Sequence, residues 1–490
     1  MIPYRFGRKC GSRPFLVMLT IETLAVLAAA QQAPLTLEQA VNQALDKYPA
    51  VRASIEQVAA AAAGINLART VYLPRADFVG QMNRATRNNV FGLLLPQPVI
   101  PPMSGPVLGT NSLTSVWGTA VGGLVSWEPF DFGLRPATVG VAQSVRDSSN
   151  AQLAVTRLQV GTAAADAFLT VLASRQTVQA AAAGVERARV VNESVQALVK
   201  NQLRPGADAS RAEAELALAR IQLIQAEQAE QVSLATLAQL LGVVPTSLQV
   251  QPGPLLKTPA VSDTTGPSLA SNPRAVAQSA LVDVVKSREK VLVRSYYPRF
   301  LLQAATYGRG TGAHVDGTTG GAGAGLGPNT GNWAVGITVL FPAFDLPSIH
   351  RRKEVELHNE RAETARYDQL LQDLNGEFEK AKAALEGARR VAQNTPIQLA
   401  AARVLEQQAT ARYKAGLATI VEVAEAERLL VQAEIDDSLG GSSRPGRFDA
   451  VLAADTLTVC RLCFNWAWGR AKCQINRPIL REPLGGKLCG

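Results

Sequence analysis

The feature that most constrains this chain of 490 residues is an internal duplication. Pro49 opens a helical stretch that closes on Tyr72-Leu73-Pro74-Arg75, and Pro273 opens another that closes on Tyr296-Tyr297-Pro298-Arg299; Pro49 to Pro74 and Pro273 to Pro298 are both 25 residues. Each copy continues through short alternating segments, an interruption rich in Gly, Pro and Asn, a second alternating segment and a Phe-Asp pair, Phe130-Asp131 in the first and Phe344-Asp345 in the second. A long stretch rich in Ala, Glu, Gln and Arg follows in both. Repetition on this scale means one supersecondary plan executed twice. The chain therefore divides into residues 1–30, a first repeat over 31–250, a linker over 251–270, a second repeat over 271–439 and an atypical tail over 440–490.

The long stretches carry apolar or small residues at helical spacing: Ala154, Leu158, Gly161, Ala165, Phe168 and Leu172 in one, Leu370, Leu374, Phe378, Ala381, Leu385 and Ala388 in the other. Steps of three and four define amphipathic helices. Small seam residues let backbones approach closely, which suits broad helical sheets better than a tight leucine zipper. A hollow helical barrel and an ordinary antiparallel bundle both satisfy these helices.

The alternating segments separate the two. In Asn332–Phe341, Trp333, Val335, Ile337, Val339 and Phe341 share one face and Ala334, Gly336 and Thr338 the other. In Ser115–Trp127, Trp117, Thr119, Val121, Val125 and Trp127 share a face with an aromatic at each end. Period two with an apolar face is a strand pattern, and aromatics bounding an apolar band match the girdles of membrane barrels, here Trp117, Trp127, Trp333 and Phe341. The partner segments Arg75–Arg84 and Arg299–Arg309 are anchored by Phe78 and Phe300. Between partners, Asn88–Asn111 and Gly308–Gly331 read as long exposed loops. Four such strands cannot close a barrel, and open edges are not tolerated in lipid, so several copies must share one.

The N-terminus sets the compartment. Arg5, Arg8, Lys9 and Arg13 precede the mostly apolar run Phe15–Ala30, which ends on three alanines and contains Glu22. That run is a signal peptide rather than a membrane anchor, being shorter than the roughly 20 residues a span requires. Cys10 lies before the run, not at its end, so no N-terminal lipid is expected. No later stretch reaches 18 uninterrupted apolar residues, which leaves strands or amphipathic surfaces for any membrane contact.

The net charge of +9 raises nucleic acid as a partner only until it is located. The first 30 residues carry +3 and the tail +5, leaving +1 for the body, so no basic patch is expected there. Four of five cysteines, Cys460, Cys463, Cys473 and Cys489, lie in the tail, which leaves the mature body without thiol chemistry.

In this order, the signal, the two repeats of helix, strand, strand, long helix, turn and helix, the Tyr-x-Pro-Arg and Phe-Asp motifs and Tyr413-Lys414-Ala415-Gly416 resemble the TolC-like outer membrane efflux proteins over Leu35 to Asp437. The resemblance implies a mixed α and β membrane protein: a homotrimer whose four strands per chain make a twelve-stranded β-barrel in outer-membrane lipid, over a long antiparallel coiled-coil α-barrel in the periplasm. It implies as partners a periplasmic adaptor, also called a membrane fusion protein, and an inner-membrane pump. It implies passive exit of solutes by efflux or type I secretion. The turns Leu203–Asp208 and Tyr413–Leu417 then become the periplasmic tip and adaptor-docking site, with Arg204, Pro205, Gly206, Asp208, Tyr413, Gly416 and Glu422 as its residues. Gly206 and Gly416 suit turns because glycine tolerates positive φ, and Pro205 cannot continue a helix.

Asp208 and Glu422 match acidic positions that ring the pore in relatives, where carboxylates favour cations. A solvated carboxylate at a helix start explains each equally well. Ala418 stands where some relatives place an arginine of the closing network, so that ion pair is not expected, whereas Tyr413 retains its hydroxyl.

The histidines His314, His350 and His358 form no zinc spacing, Cys460-x-x-Cys463 has no second pair, and Gly320–Gly327 lacks the Lys-Ser/Thr of a phosphate loop. No metal, cofactor or catalytic residue is assigned, and the chain is not expected to be an enzyme. A non-conducting periplasmic scaffold or adhesin is the rival function. Helical periodicity is expected to stop at Gly440, and the Cys, Trp, Arg and Pro mixture beyond reads either as sequence from a changed frame or as a small appended segment.

Overall fold

The computed structural model describes residues 35–86, 114–252, 268–314, 316 and 318–442. The expected signal, Cys10, the loop at 88–111, most of the linker and the four tail cysteines lie outside the described residues. The elements, in chain order, are α1 (Leu37–Lys47), α2 (Pro49–Arg69), β1 (Arg75–Thr86), β2 (Ser115–Phe130), α3 (Leu134–Lys200), α4 (Gly206–Leu241), α5 (Pro273–Arg294), β3 (Arg299–Thr311), β4 (Thr330–Leu340), α6 (Leu346–Lys414) and α7 (Ile420–Ser442). Their described residues group into two compact units, one within 35–51, 157–252 and 377–442, the other within 52–156 and 268–376.

Local chemistry sets several helix ends. Thr36 and Gln39 form a reciprocal capping box at the start of α1, each side chain bonding the other's backbone N–H. Asn272 caps α5, its side chain accepting from the Arg274 amide at 2.9 Å, with Pro273 in the first helical position. α7 continues through Gly440 and Gly441 to Ser442, past the point where periodicity stops in the sequence.

The first unit contains the hairpin α3–α4, the hairpin α6–α7 and α1. Phe168, Val171, Leu237 and Leu241 are fully buried in it. Leu35 pairs with the stretch after α4, its N–H on Gln249 O at 2.7 Å and its carbonyl accepting from Gln251. Arg175 reaches from α3 to Glu230 on α4 and to the Val250 carbonyl. The expected seam of α3 is buried or half-buried from Leu158 onward, but Ala154 is exposed. There the buried face falls on Leu153 and Val155 instead, because the apolar stripe drifts around a straight helix.

The second unit holds α5, most of α2, the first parts of α3 and α6, and a four-stranded antiparallel sheet in the order β1-β2-β3-β4, so the two repeats meet at β2 and β3. Register runs Phe78–Gly123–Thr306–Trp333 across one row and Asp77–Leu124–Ala305–Ala334 across the next. The first face carries Phe78, Val121, Val125, Trp333, Val335, Ile337 and Val339, all exposed, with Phe78 at 81% and Trp333 at 78%. The opposite face carries Asp77, Gln81, Gln303, Tyr307, Arg309 and Asn332 around a small cluster of Ala120, Leu124, Ala305 and Tyr307. A side chain at Gly122 would meet the Tyr307 Cβ at 2.3 Å, so glycine lets this face close.

Several strand boundaries differ from expectation. β4 ends at Leu340, so Phe341 lies beyond the strand. Its carbonyl is taken up by a turn, accepting from the Ala343 N–H at 2.9 Å. β2 continues past Trp127 to Phe130 through an irregularity in register, so Phe130, not Trp127, ends it and pairs with Phe300. β3 and β4 reach Thr311 and Thr330, and the glycine-rich connection is pinned to the sheet rather than free. The Thr119 hydroxyl donates to the Gly325 carbonyl at 2.9 Å, and Gly312 N–H donates to the Trp117 carbonyl at 2.9 Å.

Candidate functional site

The turns after α3 and α6 share one backbone design. After α6, Gly416 takes a left-handed φ of 78°, Leu417 N–H reaches back to the Arg412 carbonyl at 2.8 Å, and Gly416 N–H to Tyr413 at 3.0 Å. After α3, Leu203 N–H bonds the Leu198 carbonyl at 2.9 Å and Gln202 N–H bonds Val199 at 2.9 Å. Both are left-handed helix C-caps. The residue with positive φ in the first is Gln202, at 61°, which corrects the role expected of Gly206. Gly206 is instead the first residue of α4, behind Pro205 at the cap, and the Pro205 carbonyl accepts from the Asp208 amide. Glutamine at that position gives no sequence signal, whereas Gly206 does.

The equivalence places Leu203 with Leu417, Arg204 with Ala418 and Asp208 with Glu422. Leu203 and Leu417 are exposed at 67% and 71%, so each turn presents a leucine. Arg204, across the tip from Ala418, lies over the Tyr413 ring at 4.4 Å and donates to the Tyr413 carbonyl at 2.5 Å. Tyr413 in turn donates its hydroxyl proton to Asp208 Oδ2 at 3.2 Å. Burial, and then the Asp208 charge, push the Tyr413 hydroxyl above its usual pKa, so it remains a donor. An arginine thus serves the tip from the opposite hairpin.

Glu422 is occupied differently. Its Oε1 accepts from the Thr419 amide at 3.2 Å, a cap at the start of α7, and Arg412 stands 3.8 Å from Oε2. Asp208 and Glu422 therefore hold equivalent backbone positions but make unlike bonds. Beneath them Val195, Ala212, Ala409, Tyr413, Ala418, Ile420, Val423 and Ala426 form one core from all four helices. Further along, Arg187 binds Glu434 through both terminal nitrogens, at 3.3 and 2.7 Å, and joins α3 to α7.

Of the four girdle residues, Trp127 and Trp333 are exposed on the apolar face and Trp117 is half-buried on it. Trp127 Nε1 donates to the Tyr72 carbonyl at 3.1 Å, tying the end of one strand to the lead-in of another. At the same junction Asp131 is buried and accepts from the Gly133 amide and from Arg135 N–H and Nε, at 3.1, 2.6 and 2.9 Å. Arg135 lies 4.9 Å over Tyr72. The Tyr-x-Pro-Arg and Phe-Asp motifs of the first repeat are parts of this one joint. In the second repeat Phe344 is fully exposed.

Among the described residues no group of His, Cys, Asp and Glu could hold a metal, and no helix is long and apolar enough to cross a membrane.

The fold and tip define a chain of the outer-membrane channel class. The model of the family described as outer membrane efflux protein matches residues 40–243 and 268–440, and the chain belongs to that family. Among solved structures it is similar to the outer-membrane channel OprN, with a TM-score of 0.67 and 19% identity over 86% of this chain and 88% of that one. It is similar also to VceC of Vibrio cholerae, at 0.64 and 16% over 85% and 95%, and to the CmeC outer membrane channel of Campylobacter jejuni, at 0.64 and 17% over 85% and 85%. Protein CyaE of Bordetella pertussis is 28% identical over 222 residues, which span 45% of this chain and 43% of CyaE.

Proposed function

We propose that this chain is the outer-membrane exit duct of an efflux or type I secretion system, and that solutes pass through it passively. The observation that carries the proposal is the two-faced sheet. A row of exposed Phe78, Val125, Trp333, Val335 and Ile337 is costly in water, on the order of 25 cal/mol per Å² of apolar surface, and favourable in lipid. The other face carries Asp77, Gln81, Gln303, Arg309 and Asn332, polar groups of the kind a water-filled lumen requires. Among the described residues β1 and β4 have a strand on one side only, so lipid forbids the sheet alone and other copies close it. The family resemblance supplies three copies and twelve strands.

In this reading the α3–α4 and α6–α7 turns are the periplasmic tip, and Leu203 and Leu417 with Arg204, Pro205, Gly206, Asp208, Tyr413, Gly416 and Glu422 meet the adaptor. The adaptor links the duct to an inner-membrane pump that supplies the energy. The similarities to OprN and CmeC, both outer-membrane channels, support the channel reading.

A periplasmic scaffold or adhesin would use the same helices but has no use for an apolar sheet face. Reconstitution of the purified full chain in planar bilayers decides between them. Stepwise conductance is expected; a protein that fractionates as a soluble monomer and never conducts is the scaffold.

A further inference from the structure

Within the first unit, α3, α6 and α7 border an open cleft of about 210 Å³, lined by Val191, Val195, Val423 and Tyr413 and by the carboxylates Glu406 and Glu427. Glu427 lies two helical turns past Ile420, the start of α7. Its Oε1 is buried with no hydrogen-bond partner. Packing does not require this: Ala426 and Val423, on the same side of α7, belong to the tip core that holds Tyr413.

The charges around Glu427 do not neutralise it. On α3, Glu186 is paired with Arg189, and Arg187 is engaged by Glu434. On α4 the neighbour is Glu215 and on α6 it is Glu406, which accepts from the Thr410 hydroxyl at 3.1 Å; Lys414 also lines the cleft. Burial, the Glu406 charge and, more weakly, Glu215 push the Glu427 carboxyl up to about 7, with Arg187 opposing. An ionised carboxylate in this place keeps one oxygen buried without a hydrogen-bond partner, whereas a protonated one removes the repulsion from Glu406.

We propose that Glu427 is a proton-responsive latch for the tip, holding the two hairpins packed when protonated and loosening them when ionised. The proposal rests on the tip being the closing end of the duct. The packed arrangement binds the proton more tightly than one in which Glu427 reaches water. Acid therefore favours packing, and packing weakens as pH rises from the ordinary glutamate range through about 7. An open duct is favoured on the alkaline side.

The test is tryptic cleavage of the detergent-purified full chain at Arg204, Arg412 and Lys414, with wild type and Glu427→Gln digested in parallel at each pH so that the protease's own profile cancels. The ratio of wild-type to variant cleavage should rise about tenfold between pH 6 and pH 8. Glu406→Gln should move the rise to lower pH and shrink it, because removing a like charge lowers the Glu427 pKa and leaves less repulsion to drive the hairpins apart on ionisation. A flat ratio, or absence of tip cleavage at every pH, overturns the latch. Conductance recorded at the same pH values separates the two readings: a rising ratio without any conductance overturns the duct and keeps the latch, and conductance with a flat ratio does the reverse.

Discussion

Tyr413 and Asp208, 205 positions apart, meet at 3.2 Å with the tyrosine hydroxyl donating to the carboxylate. Arg204 clamps the same ring from its other side. One tyrosine therefore joins the outgoing helix of the second hairpin to both ends of the first turn. Tyr413→Phe keeps the packing and removes the donor, at a cost of about 1 kcal/mol to the contact between the two turns. Conductance in planar bilayers should rise, and Arg204→Ala should raise it as well.

Asp208 and Glu422 occupy equivalent positions, and three copies would place six carboxylates at the tip. Asp208→Asn with Glu422→Gln should weaken cation preference, read as a smaller reversal potential in a salt gradient. Unchanged selectivity and conductance would make both residues local helix-start groups only.

Gln202 holds φ at 61°, a conformation that costs a residue with a Cβ roughly 1 kcal/mol and glycine nothing. Gln202→Gly should raise the melting temperature, while Gly416→Ala, at φ 78°, should lower it. The pair is measured by thermal unfolding of the purified protein.

Asp131 and Arg135 are buried together at the sheet–helix joint. Burial works against the Asp131 charge, but the bonds from Arg135 and the Gly133 amide outweigh it and hold the pKa below the usual aspartate value. A depressed carboxylate contributes stability above its ordinary range and loses it as pH falls through the folded value. Acid unfolding should therefore set in below about pH 4. Asp131→Ala leaves Arg135 buried without its partner, and should destabilise by about 3 kcal/mol and remove that acid step.

The sheet was legible because alternation is visible without a fold: Trp333, Val335, Ile337 and Val339 share a face in sequence and in register. Its ends were less so, since Phe341 continues the alternation while the backbone has already turned. At the tip, glycine and proline pointed to the right segments, but the left-handed residue is Gln202, whose type carries no such signal. The Arg204–Tyr413 contact spans 209 positions and depends on how two hairpins pack, which no local pattern encodes. The same is true of Glu427, an ordinary glutamate until groups on three other helices are brought beside it.

Lipid exposure of the apolar face has its own signature. Ile337→Lys should cost about 2–4 kcal/mol near the middle of a bilayer and reduce recovery from the outer membrane, whereas Asn332→Lys on the polar face should be tolerated.

The sharpest measurement is the mass of the detergent-purified protein by light scattering, because β1 and β4 each have an unpaired side among the described residues. A shared barrel predicts three chain masses in one folded, heat-resistant species. A folded species of a single chain mass would contradict it.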